Sequence, residues 1–333
     1  MRTAPDFWWR PDRGWQARLL APIGGVYGRV TAERMSKAGM RLAVPVICVG
    51  NFVAGGAGKT PTALALARLL IERGHRPAFL SRGYGGSGAS RAAVLRVDPA
   101  APDPGRTGDE PLLLAAVAPT FVSRDRVGAA RAALAEGAGV LILDDGLQNP
   151  ALAKTMSVAV VDGARGFGNE ACLPAGPMRA PAEAQWPHVA ALCVIGEGEP
   201  GQRAAAAAFA HGVLVWPARL VPDPAAVTRL RGKPLLAFAG IGHPGKFFTT
   251  LGQAGLDVRA TRAFPDHHRF SQADLATLTR VAQENGATLV TTDKDRVRLR
   301  PDFAAEVLPV ALSFADPGAV QARLVEAMAG FLA

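Results

Sequence analysis

The chain has 333 residues, of which 49% are hydrophobic and 20% charged, so it can bury one large or two modest cores and global disorder is excluded. Its net charge of +9 and pI of about 10.2 predict an anionic partner (nucleic acid, an acidic membrane surface or a phosphorylated substrate), unless the many arginines only reflect base composition. The three cysteines form no CxxC pair, which argues against a disulfide framework or zinc site and fits a reducing compartment.

Residues 1–40 combine tryptophans, aliphatic side chains and arginines. Trp8, Trp9 and Trp15 precede apolar positions at helical spacing that continue to Val30. This pattern is typical of an amphipathic helix on an anionic membrane surface; the alternative is a helix packed on the protein's own core. No apolar run reaches about 18 residues, so we expect no transmembrane helix, and charged residues interrupt any signal-peptide core.

Residues 44–70 predict a nucleotide-binding loop. A β-branched apolar run precedes Gly55-Gly56-Ala57-Gly58, and Lys59 and Thr60 then open an Ala/Leu-rich run. Strand, glycine loop and helix form the P-loop arrangement, in which backbone amides and Lys59 bind phosphates and Thr60 binds Mg²⁺. Val53 stands where the strict motif has its first glycine, so a glycine-rich turn with a chance Gly-Lys-Thr is the alternative.

Polar side chains follow predicted strands downstream. Tyr84 lies in a glycine loop after a strand at residues 77–80, on the rim where an open α/β sheet binds ligands or in a plain connection. Asp109 begins an apolar helix, either complementing the helix dipole or acting as a general base. Asp144 and Asp145 end an apolar strand, as in a Walker B strand whose carboxylates meet Mg²⁺; a strand-end turn is the alternative.

The second half of the chain predicts further strands and helices. The Gly/Pro-dense segment 166–181 indicates a fixed connection, and its Arg179 either binds phosphate or is solvated. His267 and His268 are adjacent and cannot easily share one metal, so one histidine in an acid–base role is favoured. We predict strands at residues 189–195, 213–216, 235–239, 288–292 and 308–314, a loop at 197–202, and helices at 204–210, from about 272, and at 317–332.

Ordered motifs along nearly the whole chain resemble those of the tetraacyldisaccharide 4′-kinase family. They are VGNFVAGGAGKTP, SRGYGG, GDEPLLLA, DDGLQ, GNEACLPAGPMR, AFAGIGHPGKFF, FPDHHRFS and TTDKDRVRL. The family lacks the first Walker glycine, so Val53 belongs to its pattern.

The resemblance implies ATP- and Mg²⁺-dependent phosphorylation of the 4′-hydroxyl of a tetraacylated glucosamine disaccharide 1-phosphate, a lipid A precursor. The implied location is the cytoplasmic face of the bacterial inner membrane, with an anionic surface as partner and neither nucleic acid nor an obligate protein partner. The residues carried over for ATP binding are Val53, Ala54, Gly55, Gly56, Ala57, Gly58, Lys59, Thr60, Tyr84, Gln148 and Arg179. Those for the metal are Thr60, Asp144 and Asp145, and those for catalysis are Asp109 as base, His267 as its partner, and Lys59.

Some residues depart from the family pattern. Asn149 replaces a histidine, Lys154-Thr155 replaces Arg-Asp, and Ala180 replaces a glutamate. These changes leave open a divergent P-loop ATPase or kinase with another acceptor.

We therefore expect an α/β fold with a P-loop NTPase-like core over residues 41–156 and a second, smaller α/β domain over 162–305. A C-terminal strand and helix, 306–333, would return to the core, and residues 1–40 would form an N-terminal amphipathic helix. Two rival classes are a GTPase and a nucleic-acid-binding ATPase. Lys294 stands one place too late for a guanine-reading motif, and the aromatics gather at the N-terminus rather than along a groove.

Overall fold

A computed structural model describes residues 4–84, 86–88 and 93–331. Residues 1–3 and 332–333, at the ends of the predicted first and last segments, lie outside the described residues. So does Gly85 of the predicted SRGYGG loop.

Strands and helices alternate along most of the chain. The strands are β1 (Val46–Gly50), β2 (Pro77–Ser81), β3 (Leu95–Arg96), β4 (Thr120–Val122), β5 (Val140–Asp144), β6 (Met156–Asp162), β7 (Ala191–Ile195), β8 (Leu214–Pro222), β9 (Leu235–Ala239), β10 (Val258–Ala263), β11 (Thr288–Thr291), β12 (Glu306–Val307) and β13 (Val310–Phe314). The helices are α1 (Trp15–Met35), α2 (Lys59–Glu72), α3 (Pro104–Thr107), α4 (Asp109–Ala115), α5 (Arg126–Ala135), α6 (Ala182–Gln185), α7 (Glu199–Ala210), α8 (Pro224–Leu230), α9 (Pro244–Gln253), α10 (Gln272–Glu284), α11 (Asp293–Arg296) and α12 (Pro317–Met328). The predicted α/β class is confirmed.

A nine-stranded sheet within the described residues has the order β13-β8-β7-β6-β1-β5-β2-β4-β3. The P-loop strand β1 lies between β5 and β6, and its pairing is parallel on both sides. Only the two edge strands, β13 and β3, pair antiparallel with their neighbours in this described sheet. The carboxyl ends of β1, β5 and β2 therefore meet at one edge, where open α/β sheets bind ligands.

Residues of β1 alternate between two hydrophobic cores. Val46 and Cys48 pack in one, whereas Ile47 and Val49 pack in the other. Because helices cover both faces of a parallel sheet, its central strands are apolar on both sides. This explains why the stretch before the P-loop is continuously hydrophobic.

A smaller parallel sheet, β10-β9-β11-β12, follows in the described residues. The sequence placed the start of the second domain at residue 162, but β7 and β8 pair in parallel after β6 and extend the large sheet instead. Helix α7 connects these two strands and begins at Glu199, so the predicted loop at 197–202 is wrong for residues 199–202. A strand–helix–strand pattern does not specify which sheet it joins. Residues 235–307 form the smaller sheet, while β13 returns to the large one.

Helix α1 turns large apolar side chains toward solvent. Trp15, Leu19, Ile23, Val26 and Val30 are each 59–71% exposed, and their spacing places them on one side of the helix. The alternative of an apolar face packed on the protein's own core is therefore wrong for these side chains.

The opposite side of α1 packs against the connection at residues 166–181. A Cβ at Gly24 would lie 2.7 Å from the Cys172 carbonyl oxygen, and a Cβ at Gly28 would lie 2.7 Å from Cys172 Sγ. These two glycines permit the close approach of helix and loop.

The N-terminal tryptophans differ in their surroundings. Trp8 and Trp9 are half-buried, and the Trp8 indole N–H donates to the Pro174 carbonyl at 3.0 Å, whereas Trp15 is exposed. Among the described residues, no helix combines the length and apolarity needed to cross a bilayer.

Candidate active site

The two sheets contribute to one cleft. In the large sheet, β1 leads into the P-loop, β5 ends at Asp144, and Asp109 opens α4. In the small sheet, β10 leads toward His267 and β11 toward Lys294. Contacts between the two sides join His267 to Asp109 and Lys294 to Glu110. Residues predicted from distant motifs thus lie together.

The glycine loop has the geometry of a phosphate cradle. Gly55 and Gly58 have φ values of 116° and 89°, which disfavour any side chain, and a Cβ at Gly56 would meet no atom. In the described part of the chain, the backbone amides of residues 55–58 donate no hydrogen bond. Lys59 begins α2 and places its Nζ 3.8 Å from Asp145 Oδ1. Free amides, a helix N-terminus and a lysine suit polyphosphate.

Val53 and Ala54 are engaged differently from the rest of the predicted loop. The Val53 side chain is buried in the core, and its carbonyl accepts Arg179 Nε at 3.2 Å. The Ala54 amide donates to the Pro177 carbonyl at 2.7 Å. Both residues are bonded to the 166–181 connection, so the backbone open to phosphate begins at Gly55. The missing first glycine is explained because position 53 is a packed strand-like residue.

Arg179 and Asp145 form a two-point ion pair. Arg179 Nη1 and Nη2 donate to Asp145 Oδ1 and Oδ2 at 2.8 and 3.0 Å. Burial alone would raise the pKa of Asp145, but Lys59 and Arg179 lower it below its ordinary value. Asp145 also has a positive φ of 56°, a strained conformation of the kind that clusters at functional sites.

Gln148 supports this pair rather than standing free for nucleotide. Its Nε2 donates to the Asn51 carbonyl and to Gln185 Oε1, both at 2.9 Å, and its Oε1 lies 3.4 Å from Arg179 Nη1. Gln185, which sequence reasoning missed, is fully buried and also donates to the Ala180 carbonyl at 2.8 Å. The amide side chains therefore hold Arg179 beside the P-loop.

Asp144 is 3% exposed, and its Oδ1 is buried with no hydrogen-bond partner. Burial, reinforced by the charges of Glu110 and Asp145, raises the pKa of Asp144 to about 7. An uncompensated buried carboxylate at the end of the strand next to β1 fits a cation ligand. No cluster of three or more His, Cys, Asp or Glu side chains in the described residues is arranged to hold a metal alone. Asp144 and the Thr60 hydroxyl are the side chains here that would hold a Mg²⁺ ion, whereas Asp145 is already paired with Arg179.

Asp109 receives two cationic or polar partners from the small sheet. His267 Nδ1 lies 2.8 Å from Asp109 Oδ2, and Arg298 Nε donates to the same oxygen at 2.8 Å. Burial opposes the effect, but these hydrogen bonds lower the pKa of Asp109 to about 2. His267 has a positive φ of 58°, and its backbone N–H donates to the Gly240 carbonyl at 3.0 Å. The small sheet therefore holds this histidine in a conformation that its neighbours must enforce.

Other side chains complete the cleft. Lys294 Nζ donates to Glu110 Oε1 at 3.1 Å, and although burial acts in the other direction, Lys294 and Lys59 lower the pKa of Glu110. Tyr84 is 58% exposed, with its ring centroid 6.2 Å from that of His267. Tyr84 therefore lies on the rim of the Asp109 side of the cleft.

The departures from the family pattern occupy structural positions. Asn149 Oδ1 accepts the Ala151 amide at 2.9 Å, and Lys154 Nζ donates to the Leu147 and Asn149 carbonyls at 3.2 and 2.7 Å. Ala180 is fully buried. These side chains stabilise the turn after Asp145 and the path of the 166–181 connection.

Arg298 is a site residue that sequence reasoning missed. It lies 189 residues from Asp109, so no local pattern joins them. The available signal is its spacing from Lys294, four residues earlier, because the two cations meet the adjacent acids Asp109 and Glu110.

A family model described as tetraacyldisaccharide-1-P 4′-kinase matches residues 16–329. The chain is 55% identical over 329 residues to the tetraacyldisaccharide 4′-kinase of Methylobacterium sp. strain 4-46, covering 98% of each chain. It is 49% identical to the protein of that name from Bradyrhizobium sp. strain BTAi1, covering 98% of this chain and 95% of the relative. Among solved structures, LpxK from Aquifex aeolicus in complex with ATP matches with a TM-score of 0.71 at 24% identity, covering 94% and 99% of the two chains, which shows a shared fold. This chain belongs to the tetraacyldisaccharide-1-phosphate 4′-kinase family.

Proposed function

We propose that this chain transfers the γ-phosphoryl group of ATP to the 4′-hydroxyl of a tetraacylated glucosamine disaccharide 1-phosphate. The observation that carries the proposal is the 2.8 Å contact between Asp109 and His267, which joins the two sheets beside the P-loop. A carboxylate–imidazole pair next to a phosphate cradle suits activation of a hydroxyl for phosphoryl transfer.

The residues divide the chemistry between them. The amides of residues 55–58 and Lys59 bind the β- and γ-phosphates, and Arg179 stabilises negative charge from the other side. Thr60 and Asp144 would hold Mg²⁺, which neutralises charge on the phosphate oxygens when bound. Asp109 accepts the proton of the acceptor hydroxyl, and His267 orients that carboxylate.

The exposed side of α1 supports a lipid acceptor. Its large apolar residues face solvent, while Arg18, Arg29 and Arg34 on the same helix are also exposed. Apolar side chains beside arginines suit insertion into the interface of an anionic bilayer. We place the enzyme at the cytoplasmic face of the inner membrane, where ATP and anionic lipid are both available.

Two alternative functions lose support. The TDKD segment does not resemble a guanine-binding surface, because Thr292 caps α11, Lys294 pairs with Glu110, and Asp295 accepts the Gly240 amide. A divergent acceptor was suggested by Asn149 and Ala180, but both residues act within structural turns rather than in the cleft.

The direct test is transfer of ³²P from γ-labelled ATP to the purified lipid disaccharide 1-phosphate. We expect transfer by the wild type and a loss of about 10²–10⁴-fold in Asp109→Ala, since the general base is removed. Lys59→Ala should lose at least about 10²-fold, because a charge-stabilising donor is removed.

Asp302→Ala, whose exposed carboxylate pairs only with Arg300 among described residues, is the matched control. No transfer by the wild type would refute the proposal, and normal transfer by Asp109→Ala would refute the base assignment.

Membrane docking has its own test, with co-sedimentation on vesicles containing anionic phospholipid. We expect the double variant Leu19→Glu/Ile23→Glu to lose binding, because two charges enter the apolar face. Phe209→Glu is the control, since Phe209 is 82% exposed but lies on α7. Equal binding by both variants, or a shift of DNA instead of vesicles, would contradict the docking model.

A further inference from the structure

The guanidinium of Arg298 is buried against Asp109. Its side chain is 4% exposed, its Nε donates to Asp109 Oδ2 at 2.8 Å, and its Nη2 lies 2.6 Å from the same oxygen. The Nη2 contact is a close charge contact without hydrogen-bond alignment, so Nε supplies the directional bond. Asp109 therefore pairs with a cation that belongs to the opposite sheet.

The small sheet fixes this guanidinium from behind. Arg298 Nη1 donates to the Gly240 carbonyl at 2.8 Å and to Asp295 Oδ1 at 2.9 Å. Asp295 is itself fully buried and accepts the Gly240 amide and the Thr292 hydroxyl. The Gly240 carbonyl also accepts the His267 amide, so both partners of Asp109 are anchored at one residue. Their spacing is thus set by backbone rather than by flexible side chains.

The bonds to Asp109 all fall on one oxygen. His267 and Arg298 both contact Oδ2, and within the described residues Oδ1 accepts no hydrogen bond. A carboxylate held through one oxygen cannot rotate freely, and it presents the other oxygen in a fixed direction. We infer that Arg298 is a positioning residue that, together with His267, holds Asp109 through Oδ2 so that Oδ1 receives the acceptor hydroxyl. This inference rests on the proposed function.

The proton balance is simple. The acceptor oxygen forms a bond to the γ-phosphorus, the bond from that phosphorus to the leaving oxygen of ADP breaks, and the hydroxyl proton passes to Asp109 Oδ1. Arg298 stays protonated throughout. Phosphoryl transfer depends mainly on positioning and charge stabilisation, so an oriented carboxylate of low basicity can serve.

Charged groups from several elements surround Asp109, and they must be considered in any pH experiment. They are Arg298 and His267 in direct contact, Asp295 behind Arg298, Glu110 next in sequence, and Lys294 and Lys59 around Glu110. Removing Arg298 takes away the positive charge in direct ion-pair contact with the carboxylate.

The test compares Arg298→Gln with the wild type in the ³²P transfer assay from pH 3 to pH 8.5. The pKa of Asp109 in the wild type, about 2, lies below this range, so protonation of Asp109 should not reduce kcat/KM there. An adjacent arginine lowers a carboxyl pKa by about 1–3 units, so in Arg298→Gln an acid limb of kcat/KM caused by protonation of Asp109 should appear at about pH 3–5. Arg298→Lys, which keeps the charge, should restore the limb toward the wild-type position. Lys246→Met is the matched control because it breaks another ion pair between the two sheets, with Asp162, that does not involve Asp109. Its loss of activity should be uniform with pH.

A second measurement does not need activity. The ¹³C shift of the Asp109 carboxyl, assigned with Asp109→Asn, should titrate at least about one pH unit higher in Arg298→Gln than in the wild type. An unmoved carboxyl titration, or a pH-independent loss like that of Lys246→Met, would show that Arg298 only docks the sheets and would overturn the inference. Failure of the wild type to phosphorylate the lipid would refute the proposed function alone, since the carboxyl titration still decides the role of Arg298.

Discussion

Asp109 and Asp144 are both nearly buried in one cleft, yet their carboxyl groups respond to the protein in opposite ways. Asp109 is 7% exposed and has a pKa of about 2, whereas Asp144 is 3% exposed and has a pKa of about 7. Burial raises both values. The difference is that His267 and Arg298 bond to Asp109, while Oδ1 of Asp144 has no partner.

The two carboxyl groups differ in what stabilises their ionised form. The protein itself completes the surroundings of Asp109, so this carboxylate is ionised and oriented before any substrate arrives. Asp144 lacks a bonded counter-charge and becomes favourable as an anion only when a cation is supplied. The first arrangement suits a base with a fixed direction, and the second suits a ligand for Mg²⁺.

Of the variants Asp144→Asn, Arg179→Met and His267→Ala, the first should have the largest effect. Loss of the metal ligand should reduce Mg²⁺-dependent transfer by about 10²–10³-fold, while the protein without Mg²⁺ should gain thermal stability at pH 8. Because the folded pKa of about 7 exceeds the ordinary 3.8, Asp144 lowers stability as pH rises from about 4 to 7, and the variant should lose this dependence.

Thermal unfolding with and without Mg²⁺ measures this effect. Asp145→Asn is the matched control, because it unpairs Arg179 and should lower stability. A metal-free Asp144→Asn protein less stable than wild type at pH 8 would contradict the comparison.

A smaller loss is expected from Arg179→Met, which leaves Asp145 without its two-point partner. Removing one charge-stabilising donor beside the phosphates costs about 10²–10³-fold in rate. Lys59 also lies beside Asp145 and keeps positive charge there, so we expect a loss of about a hundredfold in kcat/KM for ATP. Steady-state kinetics at varied ATP would measure it. Arg179→Lys keeps the positive charge but loses the two-point contact with Asp145, so it should recover only part of the lost kcat/KM. Full recovery would show that the two-point geometry of the guanidinium is unimportant.

The smallest loss should follow His267→Ala, since Arg298 would still hold Asp109 Oδ2. Loss of one hydrogen bond to a charged group corresponds to about tenfold or somewhat more in kcat. His268→Ala is the control, because His268 is the next residue in the chain but its Nε2 contacts Asp274 instead of Asp109. Equal losses in the two variants would mean that the Asp109 contact has no catalytic role.

Local sequence was sufficient for the large-sheet half of the cleft. The P-loop and Asp144 follow apolar strands directly, so strand, turn and helix patterns locate them. The pairing of Asp109 with His267 joins residues 158 positions apart and came from family resemblance, not from spacing. Arg298 lies within the TTDKDRVRL motif, but no role was assigned to it there, and its contact with Asp109, 189 residues away, was missed.

The errors in the predicted fold also have physical reasons. Strand β10 was missed because its apolar alternation is short: only Val258 and Ala260 are half-buried, while Arg259 and Arg262 lie at exposed positions. The domain boundary was placed too early because α7 and β8 repeat the pattern of any βα unit, and only pairing with β7 assigns them to the large sheet. Position 53 was counted in the phosphate loop because its bonds to the 166–181 connection are not visible locally.

The glycine side of α1 has a mechanical consequence. With Gly24 and Gly28 seated against Cys172, rotation of the helix about its own axis would drive side chains into backbone. The same connection bonds to Val53 and Ala54 through its residues Arg179 and Pro177, so one segment of chain links the helix to the nucleotide loop. A molecule docked through α1 would therefore have one orientation relative to the bilayer, and its cleft would lie at a constant distance from the lipid surface.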